Sequence, residues 1–260
     1  MHLNILFLSR LPGPLNGEIA MGYYNPASSV CRSTLIFPQS FGQAALPVVA
    51  ANTGNLKMVE VIIEKSTKSL MSVIIFPLVL ATTFSPEQIL TIIFGGKYLA
   101  SAPALTILGW ACALQIFNAP VSVTLSASKE IRRFIPWAGL VFSVNLILAV
   151  PLIIYYSFIG AAIAFLISKV VETILRHYLL QTIWGIGSFK TMESFLKVLL
   201  PIILAFIIMI LAKTIGGGTI VLFVLALILY FFCIFFFKDL REGITILING
   251  LRKKTLGEPG

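Results

Sequence analysis

Apolar residues run along this chain in stretches long enough to cross a bilayer, separated by short polar clusters that hold most of its lysine and arginine. The runs are continuous rather than alternating, which predicts helices and not strands. In lipid, only helices and closed barrels satisfy every backbone N–H and C=O, so the runs are read as transmembrane helices. Crossing the hydrocarbon takes roughly 20 apolar residues. Seven stretches reach that length, at about 27–51, 69–93, 101–127, 134–156, 158–180, 195–214 and 218–237. The opening "MHLNILFL" is too short to cross. It lacks a basic leader and a small-residue cleavage site, so it reads as the stub of a further helix rather than a signal peptide.

Composition agrees with this pattern. Hydrophobic residues make up 58% of the 260 and charged residues 11%, against about 45–50% and about 25% in an ordinary soluble domain. The positions of the charges then orient the spans, because Lys and Arg gather in short cytoplasmic loops. Alternating the sides puts Lys57, Lys65, Lys68, Lys129, Arg132, Arg133, Arg176, Lys190, Lys197, Lys238, Arg241, Arg252, Lys253 and Lys254 on one face. Only Arg10, Lys97 and Lys213 fall on the other, so the first face is taken as cytoplasmic, with the C-terminus inside. The net charge of +9 is mostly this orientation signal. Its residues form no stripe interleaved with exposed aromatics, and no nucleic-acid partner is expected. The basic tail is expected to meet membrane lipids.

The expected organisation is an all-α polytopic membrane protein of about seven complete transmembrane helices plus the N-terminal stub. Residues 1–24 form the stub and an external loop, 25–185 a helical bundle, 186–237 two accessory spans and 238–260 a basic cytoplasmic tail. An eight-residue stub anchors poorly, which favours reading the chain as the C-terminal part of a larger protein.

The connections carry little chemistry. The longest are about 52–68 and 85–100, and neither holds the acids, bases or metal ligands of a membrane enzyme. His2 and His177 stand alone, and Cys31, Cys112 and Cys233 each sit singly within a predicted span. No metal, haem or disulfide spacing results, and the cysteines read as small buried apolar residues. The "GGG" at 216–218 lacks the Lys and Ser/Thr of a phosphate-binding loop and reads as a turn. No cofactor and no enzymatic activity are expected. Pro38, Pro47, Pro77, Pro120, Pro136, Pro151 and Pro201 lie in or at the ends of spans, where each removes a backbone donor. Helices bent in this way are typical of transporters.

Three segments together carry a resemblance: "GYYNPASSVCRSTLIFPQSFGQAALPVVAA" (22–51), "ILTIIFGGKYLASAPALTILGWACALQIFN" (89–118) and "VNLILAVPLIIYYSFIGAAIAFLISKVVETIL" (144–175). The second contains Phe94, Gly95, Tyr98, Leu105 and Leu108, with Ser101 where Ala is usual. The third contains Asn145, Leu146, Leu148, Gly160, Ala161, Ala162 and Ala164. In this order they resemble the C-terminal half of polysaccharide biosynthesis proteins, the Wzx-type flippases of the multidrug/oligosaccharidyl-lipid/polysaccharide (MOP, MATE-like) exporter superfamily. The resemblance covers roughly residues 9–185. It implies the second lobe of a two-lobed flippase fold in the bacterial cytoplasmic membrane, with the first lobe a missing partner. It also implies a substrate, an undecaprenyl-diphosphate-linked oligosaccharide of the O-antigen, lipopolysaccharide or exopolysaccharide kind, moved between leaflets.

Such an anionic, hydrophilic head needs a polar, cationic path, which directs attention to the charges inside the spans. Lys169 lies about 16 Å below the outer end at Phe158, near the bilayer centre at 1.5 Å per residue. Arg32 is placed one to two turns in from the outer end of its span. A charge at the centre costs roughly 2.5–3.5 kcal/mol on insertion scales, so each must face a cavity or a partner. Arg32 and Lys169 are therefore candidate substrate-binding cations. Glu172 and Arg176 share a face with Lys169 at i+3 and i+7, so an internal ion pair with Glu172 competes with the cavity role for Lys169. Arg176 reads as a cytoplasmic anchor. Gln39, Gln43, Gln115, Asn118 and Asn145 are further intramembrane polar groups, expected to bond between helices. The leading function is lipid-linked oligosaccharide flipping. The alternatives are a cation-coupled multidrug antiporter, for which Glu172 is the sole intramembrane acid, a non-functional fragment, and a membrane glycan polymerase or ligase.

Overall fold

The structure is a computed structural model that describes residues 2–10, 13–127 and 135–185. Within these residues all regular structure is helical. The helices are α1 (His2–Arg10), α2 (Gly17–Thr34), α3 (Ile36–Ala51), α4 (Leu56–Leu70), α5 (Phe76–Phe84), α6 (Pro86–Phe94), α7 (Ala102–Phe117), α8 (Ala119–Ala127) and α9 (Ile135–Trp184). A π-helical turn, Met71–Ile75, joins α4 to α5, and a 3₁₀ turn, Gly96–Ser101, leads into α7. The two predicted spans at 195–214 and 218–237 and the basic tail lie outside the described residues.

Among the described residues, three helical stretches are long and apolar enough to cross a membrane: Leu56–Phe84, Gly96–Ala127 and Ile135–Trp184, the last of which turns back on itself at Ser157. Five of the seven predicted spans fall on described residues, and they do not all form separate crossing helices there, for reasons that lie in the backbone. The run 27–51 is divided at Leu35 into helices of 18 and 16 residues. Pro38 has no N–H to offer the carbonyl of Thr34, and the helix restarts so that this proline falls in the first turn of α3, where the N–H is not needed. The same rule places Pro77 and Pro120 at the second positions of α5 and α8, immediately after the π-turn and after Asn118.

Two segments read as loops are helical. Helix α2 starts at Gly17, inside the stretch expected to be external loop. Helix α4 occupies most of 52–68, where charge had masked a clear helical period: Val59, Ile63, Thr67 and Leu70 are buried. The intervening positions carry Lys57, Lys65 and the pair Glu64–Lys68, at 2.9 Å. The side-chain oxygen of Asn55 caps α4 by accepting from the Met58 N–H.

Helix α9 is a hairpin of two arms, 135–156 and 158–184. At Ser157 the backbone leaves helical geometry, with φ 53° and ψ −129°, the values of the first central residue of a type II′ turn. Asn145 in the first arm donates to the Ala164 carbonyl at 3.4 Å and to the Ser168 hydroxyl at 3.0 Å in the second. In a straight helix those residues would lie about 28 Å or more apart. The predicted boundary between the spans 134–156 and 158–180 thus coincides with the turn. Gly160 makes it possible, because a Cβ there would overlap the Leu152 carbonyl.

The second arm is the spine of the bundle. Gly160, Ala161, Ala162, Ala164 and Ser168 are buried, and their small side chains let α1, α7 and the first arm approach closely. The amide of Asn4, fully buried, donates to the Ala161 carbonyl at 2.9 Å. Helix α1 is thereby packed into the main core with Leu8, Tyr24, Leu105, Leu108 and Ile153. A second core joins α5 to the end of α7, and a third joins α3, α4, α8 and the end of α9 around Ile63 and Trp184. Outward positions are apolar too: Ile92, Tyr155 and Ile147 are 83%, 74% and 69% exposed. An outer surface of this kind fits lipid.

The turn yields two predictions. Gly160→Val should destabilise the detergent-solubilised protein by roughly 1–3 kcal/mol, while Gly139→Val, whose added side chain meets open space, should leave the melting temperature nearly unchanged. Ser157→Gly should raise thermal stability by about 1 kcal/mol, because it relieves a conformation that costs a non-glycine residue roughly 1–3 kcal/mol and loses part of that gain to glycine's greater unfolded-state entropy. A thermal melt of each variant tests both.

Candidate substrate cavity

The breaks in α2–α3 and α7–α8 open a cavity of about 330 Å³ against the second arm of α9. Three helical faces line it. The α2–α3 junction and α3 contribute Leu35, Pro38, Gln39, Gly42 and Leu46. The α7–α8 pair contributes Gln115, Asn118, Ala119, Ser122, Val123 and Ser126, and α9 contributes Glu172 and Arg176. The polar residues recur at helical spacing. Gln115, Asn118, Ser122 and Ser126 follow at three, four and four residues, and Glu172 and Arg176 at four.

The wall is organised around Glu172. Its Oε2 accepts from Lys169 Nζ at 2.7 Å, and its Oε1 accepts from Arg176 Nε at 2.9 Å and also from Nη2 of the same guanidinium. Arg176 Nη1 donates to the Ser122 hydroxyl, which in turn donates to the Asn118 carbonyl at 2.6 Å. The Asn118 amide donates to Thr173 Oγ1 at 2.8 Å, and that hydroxyl donates to the Lys169 carbonyl at 2.8 Å. Two side-chain bridges therefore fasten the α7–α8 break to α9. Two cations thus share one carboxylate beside the cavity. All three side chains are largely buried, at 14–18% exposure. The Oδ1 of Asn118 is buried with no hydrogen-bond partner among the described residues, an acceptor that a ligand or water can take.

The candidate residues divide. Glu172 lines the cavity. Lys169 does not appear in its lining; its ammonium is committed to Glu172 and lies 5.3 Å from the Phe165 ring centroid. The ion pair with Glu172 is present, at 2.7 Å. Arg32 is also absent from the lining. It stands in the last turn of α2, about 22 Å along from Gly17 at 1.5 Å per residue. Its Nε is buried without a hydrogen-bond partner among the described residues.

Arg176, read from sequence as a membrane anchor, is the cation that faces the cavity. Gln39, Gln115 and Asn118 line it as well, beyond the helix-to-helix bonding expected of them. Asn145 does hold two helical segments together, and Gln43 is exposed. Ser122 and Ser126 were missed, although their spacing from Gln115 and Asn118 marks the same face. His177 stays outside the cavity lining: its ring stacks on Phe117 at 5.3 Å, and Nδ1 donates to the Thr173 carbonyl at 2.9 Å. Cys31 and Cys112 are buried, with Cys112 Sγ 3.6 Å from the Cys31 carbonyl oxygen.

No protein-family model matches the chain, and no solved structure matches it significantly. Among curated proteins it is similar to a probable low-salt glycan biosynthesis flippase, Agl15, of Haloferax volcanii, with 27% identity over 162 residues. The matched part is 61% of this chain and 34% of the relative, so the chain spans about a third of that protein's length. Apolar spans, a polar cavity among them and this partial similarity describe a helical membrane protein that is similar over part of its length to a probable glycan biosynthesis flippase.

Proposed function

We propose that the chain is the second-lobe part of a flippase that moves a lipid-linked oligosaccharide across the cytoplasmic membrane. The observation that carries the reading is the cavity itself. In a bundle whose outer surface is apolar, three amides, two hydroxyls and an arginine converge on one space between α3, α7–α8 and α9. Amides and hydroxyls suit the many hydroxyl groups of a glycan, and a guanidinium suits the phosphates of its carrier. The prenyl tail stays in the bilayer throughout, so only the head has to be accommodated. The similarity to a glycan biosynthesis flippase supports the same reading.

In this proposal the carrier is undecaprenyl diphosphate, and the glycan is a repeat unit of the O-antigen, capsule or exopolysaccharide type. The remaining lobe is a separate partner or a further part of the same polypeptide, and no covalent chemistry takes place. Arg32 and Lys169 belong to the path outside the cavity, where each adds positive potential for an anion in transit. The cation-coupled antiporter reading needs an acid open to an incoming ion, and both oxygens of Glu172 are instead engaged by side-chain cations of its own helix.

The reading is tested in a strain whose own flippase is deleted, with the gene for this chain supplied in its natural context. Wild type should restore surface glycan. The double variant R32A/K169A, at equal protein level, should lower it about tenfold. Failure of the wild type to restore any glycan contradicts the flippase reading, and full export by the double variant removes both cations from the path.

A further inference from the structure

The connection between Glu172 and Arg176 points to more than a static ion pair. Arg176 is the cation of the cavity lining, yet Nε and Nη2 are both turned onto Glu172. A guanidinium fork engages carboxylate and phosphate oxygens with the same geometry, so an entering phosphate and Glu172 compete for one set of donors. We propose that Glu172 is an internal stand-in for the substrate's diphosphate: it holds Arg176 when no phosphate is bound and surrenders it to an entering diphosphate. This rests on the flippase reading for the identity of the ligand, while the exchange itself rests on the geometry of the triad.

Lys169 makes the exchange affordable. Removing one partner from a buried ion pair normally strands a charge in a poor solvent. Glu172 is not stranded, because its other oxygen remains on Lys169 at 2.7 Å when Arg176 leaves. Lys169 thus acts on the substrate through Glu172, as a positioning residue outside the cavity. Arg176 also has little distance to travel. Glu172 and Arg176 both line the same wall, and Ser122, the acceptor of Nη1, lines it too. When the diphosphate moves on, Glu172 is already in place to reclaim the guanidinium. Product release then involves substitution of one anion for another on the same donors. A site built from an arginine without such a competitor would hold its anion more tightly and let it go more slowly.

The test is a binding titration with the purified chain in lipid nanodiscs, using farnesyl diphosphate and, in a parallel arm, inorganic pyrophosphate. E172Q should tighten binding about tenfold, E172D should give an intermediate gain and R176Q should weaken binding at least tenfold. K169Q should weaken binding several-fold by leaving Glu172 to Arg176 alone, and E172Q/K169Q should regain the affinity of E172Q. That recovery separates a positioning lysine from one that contacts the ligand, for which the double variant would stay weak. Unchanged or weaker binding by both E172Q and E172D, or no binding of either probe by any variant, overturns the exchange. Binding of inorganic pyrophosphate alone, with the E172Q gain intact, upholds the exchange and contradicts the lipid-linked substrate.

Discussion

A carboxylate between helices in a bilayer must be matched on both oxygens, and Glu172 is matched by Lys169 on one and Arg176 on the other. The rest of the charged centre follows from that arrangement. Spacings of three and four residues put all three side chains on one face of the second arm of α9. Arg176 then has a donor to spare for Ser122, which ties α8 to the same arm. Because two cations share one anion, none of the three charges is left as a lone ion.

The cavity exists because proline interrupts the helices that border it. Pro38 and Pro120 end one helical register and begin another, at Leu35 and Asn118. At both breaks the chain stays helical on either side, so the backbone remains satisfied while the side chains change direction. Asn118 caps α7, fastens the break to Thr173 and holds an acceptor that has no partner among the described residues. Packing supplies the opposite need. The Gly160–Ser168 stripe brings α1, α7 and the first arm of α9 close enough for Asn4 and Asn145 to reach the carbonyls of Ala161 and Ala164. Rigid contact on that side and broken helices on the other give a cavity on a fixed support.

Much of this was legible in the residues. Continuous apolar runs identified a helical membrane protein, and the boundary near residue 157 fell at the observed turn. The i+3 and i+4 spacings correctly exposed Lys169 and Glu172 as partners. Hydropathy failed where a helix is amphipathic. The five charged residues of 56–70 hid α4 because averaging over a window erases the period that Val59, Ile63, Thr67 and Leu70 display. It failed again at Arg176, whose nearness to a predicted span end suggested water. Its actual direction is set by Ser122 and Glu172, and Ser122 lies 54 residues away in sequence. Tertiary neighbours of that kind leave no local trace, so Arg32 and Lys169 drew attention by depth while the cavity formed around other residues.

The account stands or falls on whether the space between α3, α7–α8 and α9 is a polar, water-accessible cavity within a bilayer. Single cysteines at Gln39, Gln115 and Ser126, in a chain whose native cysteines are replaced by alanine, can be probed in membranes with a charged, membrane-impermeant thiol reagent. Modification at these three positions is the predicted result, with cysteine at the outward-facing Ile147 and Ile154 left unreacted. Protection of all three cavity positions at a level equal to Ile147 and Ile154 would contradict it.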